Sequence, residues 1–176
     1  LGVSQVEVGG SPHLIEAYAS QNSALGQATE TGDGGVTLSG DAWFQIDLEN
    51  VAGQDFEITD SAVLSFDFSS TTEGAARTIG FESNETLTNS VQFQLFGTAA
   101  TAHKQAFNDY TLADGTKHYE IPIGDFLGGD HFDRMILSAD DPNGQGDSTF
   151  SDIEIWWNPV VWFDAAAEDG NGTVAN

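Results

Sequence analysis

The chain has 176 residues, with 28 Asp and Glu against 4 Lys and Arg and a formal net charge of -24. That balance argues against nucleic acid, whose phosphates need a basic face, and it disfavours anionic membrane surfaces. It fits salt tolerance, divalent-cation binding, and a neutral rather than strongly anionic ligand.

Hydrophobic residues make up 39% of the chain and include 12 Phe and 4 Trp, enough to pack one domain's core. There is no cysteine, hence no disulfide and no thiolate metal site. No run of about 18 apolar residues that could span a membrane occurs. The sequence opens at Leu1 without a Met or a basic-plus-apolar leader, which predicts a mature or excised fragment from which an export signal has been removed.

Val3, Val6 and Val8 alternate weakly before a Gly-Gly-Ser-Pro turn. Leu14, Ile15, Ala17 and Tyr18 suit a short strand, followed by a Ser/Gln/Asn loop. After the turn TGDGG come Val36 and Leu38, then AWFQIDL, in which Trp43, Gln45 and Asp47 alternate with Phe44, Ile46 and Leu48. This period of two marks half-buried strands.

Residues 63–97 carry the clearest pattern. Leu64, Phe66 and Phe68 alternate with Ser65, Asp67 and Ser69; a run around Ile79 and Phe81 follows; then Val91, Phe93 and Leu95 alternate with Gln92, Gln94 and Phe96. Short polar loops between the three runs predict an antiparallel sheet. The polar loop TAATAHKQAFNDYTLADGTK precedes HYEIPI, whose Pro122 suits an edge strand. A Gly-rich turn (GDFLGGD), RMILSA, the loop DDPNGQGDS and TFSDIEIWW complete the pattern. With no strong amphipathic helix, this spacing predicts an all-β, antiparallel β-sandwich of jelly-roll type. The predicted module is residues 1–157, with 158–176 as a linker or the start of a following domain.

The pieces GGVTLSGDAW, VLSFDFSSTTEG, IGF, FQLFGT, FNDY, HYEIPIG, FDRMILSADD and STFSDIEIW, in this order, resemble a non-catalytic jelly-roll carbohydrate-binding module of secreted bacterial polysaccharide-degrading enzymes. The likeness is to modules of agarases and related marine hydrolases and lyases. It implies a secreted polysaccharide binder, covalently linked to catalytic or other extracellular domains. The sequence departs from that family in TAATAHKQ, where relatives commonly show a Trp, and in AARTIG, where they show acidic-Ile-His. A structural or adhesive β domain of a multidomain extracellular protein is the alternative.

Sugar binding needs aromatic faces and hydroxyl-reading polar groups. The candidates are Glu73 and Arg77 after the first central run, His103, Lys104, Asn108 and Tyr110 in the long loop, and Trp156, because adjacent Trp156 and Trp157 must face opposite sides of a strand. For metal, Asp141, Asn143, Gln145, Asp147 and Asp152 place oxygens at positions 1, 3, 5, 7 and 12 of a loop with Gly146 at 6, a calcium-loop spacing that predicts structural Ca2+. Glu7 and Glu16 meeting Asp152 or Glu154, and Asp67, are further acidic candidates. No nucleophile, zinc or phosphate-loop motif is present, and the four His (His13, His103, His118 and His131) show no metal spacing, so no catalysis is expected of the module.

Overall fold

The structure, a computed structural model, describes residues 15–32, 34–48, 56–99 and 103–157, with the backbone of 4–7. The predicted tail at 158–176 with Trp162, and also His13, lie outside the described residues. The strands are β1 (Ser4–Glu7), β2 (Ile15–Ala17), β3 (Gln27–Glu30), β4 (Val36–Ser39), β5 (Ala42–Asp47), β6 (Phe56–Glu57), β7 (Val63–Ser69), β8 (Arg77–Glu82), β9 (Gln92–Phe96), β10 (Thr116–Ile121), β11 (His131–Phe132), β12 (Arg134–Ala139) and β13 (Asp147–Trp157). One short helix, α1 (Ile123–Leu127), occupies the segment expected to be only a Gly-rich turn.

Two antiparallel sheets stack as a β-sandwich. The first runs β10-β7-β13-β4-β3, with β1 added to β13; the second runs β2-β5-β12-β8-β9. A separate ribbon pairs β11 with β6. As its proline suggested, β10 is an edge strand, and it stops at Ile121, one residue before Pro122. The three central runs do not form one sheet. β8 and β9 pair with each other, but β7 lies between β13 and β10 in the opposite sheet, so the segment 70–76 crosses from one layer to the other.

Alternation sends Leu64, Phe66 and Phe68 inward from one layer to meet Ile79, Phe81, Phe93, Leu95, Met135 and Leu137 from the other. Phe66 and Phe68 each pack against Phe150 and Tyr119, with Phe68 also edge-on to Tyr110 at 4.9 Å. In β13 a bulge between Ser151 and Glu154 shifts the phase, so that Phe150, Ile153 and Ile155 all reach the core. The bulge holds Asp152 at φ 49, the left-handed region that Asp tolerates better than most residues. Trp157 turns inward onto Phe56 and Trp156 outward, as adjacent strand residues must.

Candidate functional site: the outer face of the five-stranded sheet

Residues directly opposite in antiparallel strands project to the same side, so the register maps the face turned away from the core. One row reads Trp43, Ser138, Thr78, Gln94. The next reads Glu16, Gln45, Ile136, Gly80, Gln92. A third reads Asp47, Arg134, Glu82. Adjacent rows lie about 7 Å apart, two strand residues along.

Most of this face is closed. Tyr18, Trp43 and Ile136 form a second buried cluster with Leu87 against it. The Tyr18 hydroxyl donates to the Asn84 carbonyl at 3.2 Å, and burial pushes its pKa up to about 12. His103 tilts over Trp43 with ring centroids 6.1 Å apart, so Trp43 is only 3% exposed and is not an open platform. Burial lowers the pKa of His103, which favours the neutral imidazole. Thr78 and Ser138 share a 2.8 Å hydroxyl contact. Gln105 donates to Gln94 Oε1 at 3.0 Å and accepts from Asn108 Nδ2 at 2.9 Å.

Glu82, nearly fully buried, accepts from the Thr88 N–H; burial outweighs that bond and raises its pKa. Gly80 is required where it stands, because a Cβ there would clash with the backbone carbonyl oxygen of Val91. Two polar atoms of this face are buried without a hydrogen-bond partner, Gln92 Oε1 and His103 Nδ1.

The open part lies beside Glu85. Arg134 Nη1 donates to Gln45 Oε1 at 2.9 Å and to Glu85 Oε1 at 2.6 Å, while its Nε donates to Asp133 at 2.8 Å. Gln45 Nε2 also donates to Glu85, at 3.3 Å. Here a guanidinium, an amide and a carboxylate stand partly in solvent, pre-oriented by one another. Such groups can exchange bonds with the hydroxyls of a ligand.

The residues singled out in the sequence do not gather at one place. His103, Lys104 and Asn108 come together along β9: Lys104 N–H donates to the Gln92 carbonyl, and its ammonium lies 5.3 Å over Phe126 of α1. Phe126 is half-exposed and edge-on to Phe93, and it was not legible as a site residue. Trp156 stands on the other sheet's outer face, away from this group.

Tyr110 is a core residue. Its ring packs on Phe68 and Phe96, its hydroxyl donates toward the Ser70 and Gly115 carbonyls, and it accepts from the Ser70 N–H. Glu73 is exposed in the crossover.

Arg77 corrects the expectation of a surface cation. It is fully buried at one end of the sandwich, donating to the carbonyls of Thr72 (2.9 Å), Ala76 (3.2 Å), Asp140 (2.9 Å) and Asp147 (3.0 Å). It ties the crossover and both sheets together and has no face left for a ligand. Desolvation lowers its pKa, opposed by Asp141, Asp147 and Asp140.

The calcium-loop spacing is also redistributed by the fold. Asp141, Asn143 and Gln145 lie in a turn, in which Asp141 is buried and accepts from the Asn143 N–H. Asp147 begins β13, and its carboxylate accepts from the N–H groups of Thr71 and Thr72 and from the Thr72 hydroxyl. Asp152, in the bulge, is about 16 Å further along an extended strand, too far to share an ion with Asp147. Asp152 therefore does not join the other four residues around one ion.

Among the described residues no group of three His, Cys, Asp or Glu is placed to hold a metal. Glu7 and Glu154 are register partners, whereas Glu16 is on the other sheet. Asp67 contacts His118 at 2.6 Å.

No family model matches the chain, and no curated protein matches it. Solved structures do. The crystal structure of a family 30 carbohydrate-binding module aligns over 93% of this chain and 96% of its own at TM-score 0.50 and 15% identity. Its fold is shared with this chain. A family 29 carbohydrate-binding module aligns over 89% and 90% of the two chains, with TM-score 0.49 and 13% identity. The family 30 module of a cellulosomal cellulase of Clostridium thermocellum covers 86% and 96%, with TM-score 0.48 and 17% identity.

Proposed function

We propose that this β-sandwich is a non-catalytic carbohydrate-binding module that holds a polysaccharide on the outer face of its five-stranded sheet. The observation that carries the reading is the Arg134–Gln45–Glu85 cluster, which stands partly in solvent on the outer strand face. A merely solvated sheet face would carry short or freely moving polar side chains. This one presents a guanidinium, an amide and a carboxylate oriented by their mutual hydrogen bonds. The fold shared with the family 30 module is consistent with that use. As a secreted module it would tether a linked polysaccharide-degrading enzyme to its substrate, which needs only modest affinity, roughly 10 µM to 1 mM per site.

Affinity electrophoresis through gels containing soluble β-glucan, xylan, galactomannan or alginate tests the reading. At least one polysaccharide should retard the protein. The Arg134→Ala variant should lose about 10-fold or more in affinity, the loss of one charged hydrogen bond of about 1.5–3 kcal/mol. Equal mobility in every gel would overturn it.

A further inference from the structure

Two lysines of this chain lie over aromatic rings, and only one of the two arrangements is closed. Lys117 sits 5.2 Å over Tyr119, a residue 4% exposed, and its ammonium pairs with Asp109 at 2.9 Å. There the ring is covered and the charge is met. Lys104 sits 5.3 Å over Phe126, which is 40% exposed. In a chain with 28 acidic residues, the Lys104 ammonium has no anionic partner among the described residues.

Phe126 is nonetheless held in place. On α1, Ile123 and Leu127 are buried, and the Gly124 N–H donates to the Ala62 carbonyl at 2.9 Å. A Cβ on Gly124 would clash with the Asp60 carbonyl oxygen, so the helix lies directly on that backbone. The Phe126 ring stands edge-on to Phe93 at 5.4 Å and to Phe107 at 6.2 Å, and those two are edge-on to each other at 6.1 Å. Lys104 is pinned to β9 on both sides of its peptide: its N–H donates to the Gln92 carbonyl at 2.9 Å, and its carbonyl accepts from the Gln94 N–H at 3.0 Å. Ring and backbone are thus placed before any ligand arrives, which confines the ordering cost of binding to one lysine side chain.

A ring half in solvent with an ammonium beside it is the combination a pyranose uses. The C–H face of the sugar covers the ring, and its hydroxyl or ring oxygens accept from the three ammonium N–H donors. The Arg134 cluster supplies only the polar half of that chemistry, because His103 covers Trp43. Phe93 faces the core from β9, an edge strand, so Phe126 and Lys104 lie at the flank of the sandwich and not on the sheet's outer face. The two places are therefore separable by mutation.

Resting on the carbohydrate reading above, we infer that Phe126 and Lys104 form a second glycan subsite at the β9 edge, with Phe126 stacking on a pyranose ring and Lys104 donating to its oxygens.

The test measures retention of the intact protein in gels containing β-glucan, xylan, galactomannan or alginate, for wild type, Phe126→Ala, Phe126→Trp, Lys104→Met and Arg134→Ala. In the gel that retains wild type most, Phe126→Ala and Lys104→Met should each lose affinity by about 3- to 10-fold. Phe126→Trp offers a larger face and should hold or gain affinity. Melting temperatures separate stacking from packing: Lys104→Met should melt within about 2 °C of wild type, since it removes no buried contact. A purely structural Phe126 would lower the melting temperature in both of its variants and leave the affinity of the folded protein unchanged. Wild-type affinity in Phe126→Ala and Lys104→Met, with Arg134→Ala weakened, would overturn the second subsite and leave the outer-face reading standing. If Phe126→Ala does not fold, Lys104→Met decides by the same comparison. Retention of wild type by none of the gels would overturn the carbohydrate reading and the subsite with it.

Discussion

Replacing Arg77 with Met probes how the two layers are held at one end. The side chains are of similar length, so the substitution removes the guanidinium more than it removes volume. Four carbonyls, of Thr72, Ala76, Asp140 and Asp147, lose their charged donor, and the nearby carboxylates of Asp140, Asp141 and Asp147 lose their cation. Hydrogen bonds to a charged group contribute about 1.5–3 kcal/mol each but are not additive. Breaking a buried charged network by removing one partner typically costs about 3–5 kcal/mol, and that is the expected loss. At about 2–4 °C per kcal/mol for a chain of this size, melting should fall by roughly 6–20 °C. Urea unfolding followed by Trp fluorescence gives the free energy directly. Arg77→Lys should recover less than half the loss, since an ammonium cannot reproduce the planar fork, and it should keep glycan binding. A Met variant within about 1 kcal/mol of wild type, or a folded Lys variant that loses binding, would refute the reasoning.

Asp147→Asn should lower the melting temperature by the same amount in calcium and in chelator, because Asp147 accepts from the Thr71 and Thr72 N–H groups; differential scanning fluorimetry with sodium at matched ionic strength checks this. A loss seen only in calcium would restore a metal role for the 141–147 turn. Burial raises the Asp140 pKa to about 6, with the charge and hydrogen bond of Asp41 adding to the rise and Arg77 opposing it. In this window the folded state binds more protons than the unfolded state, so the contribution of Asp140 to stability is full below its unfolded pKa near 4 and is lost as pH rises through about 6. Asp140→Asn should therefore gain stability relative to wild type between pH 4 and 7, as read from melting temperatures across that range; a parallel pair of curves would contradict it.

Much of the sandwich is written in local alternation. Phe44, Ile46 and Leu48 against Trp43, Gln45 and Asp47 already separate the two faces of β5, and Phe93 and Leu95 against Gln92 and Gln94 do the same for β9. The outer face could have been assembled from those polar halves, since long amides at alternate strand positions are unusual for a solvated surface. What alternation does not encode is partner choice. The short link after Ser69 has hairpin length, yet it crosses between layers because β7 finds β13 and β10. The bulge at Asp152 breaks the period of two, hiding the common inward direction of Phe150, Ile153 and Ile155. Arg77 looked like a surface cation by residue type, and only the convergence of carbonyls from distant segments turns it inward. Helix α1 is too short and Gly-flanked to show a helical period.

The central claim, that a polysaccharide rests on the outer face of the five-stranded sheet, is tested most directly by titrating 15N-labelled protein with a retained neutral oligosaccharide and following the amide and side-chain NMR signals. The account predicts that the largest shifts cluster at Gln45, Glu85 and Arg134. Shifts confined to the opposite sheet, around Asp67, His118, Glu154 and Trp156, would contradict it.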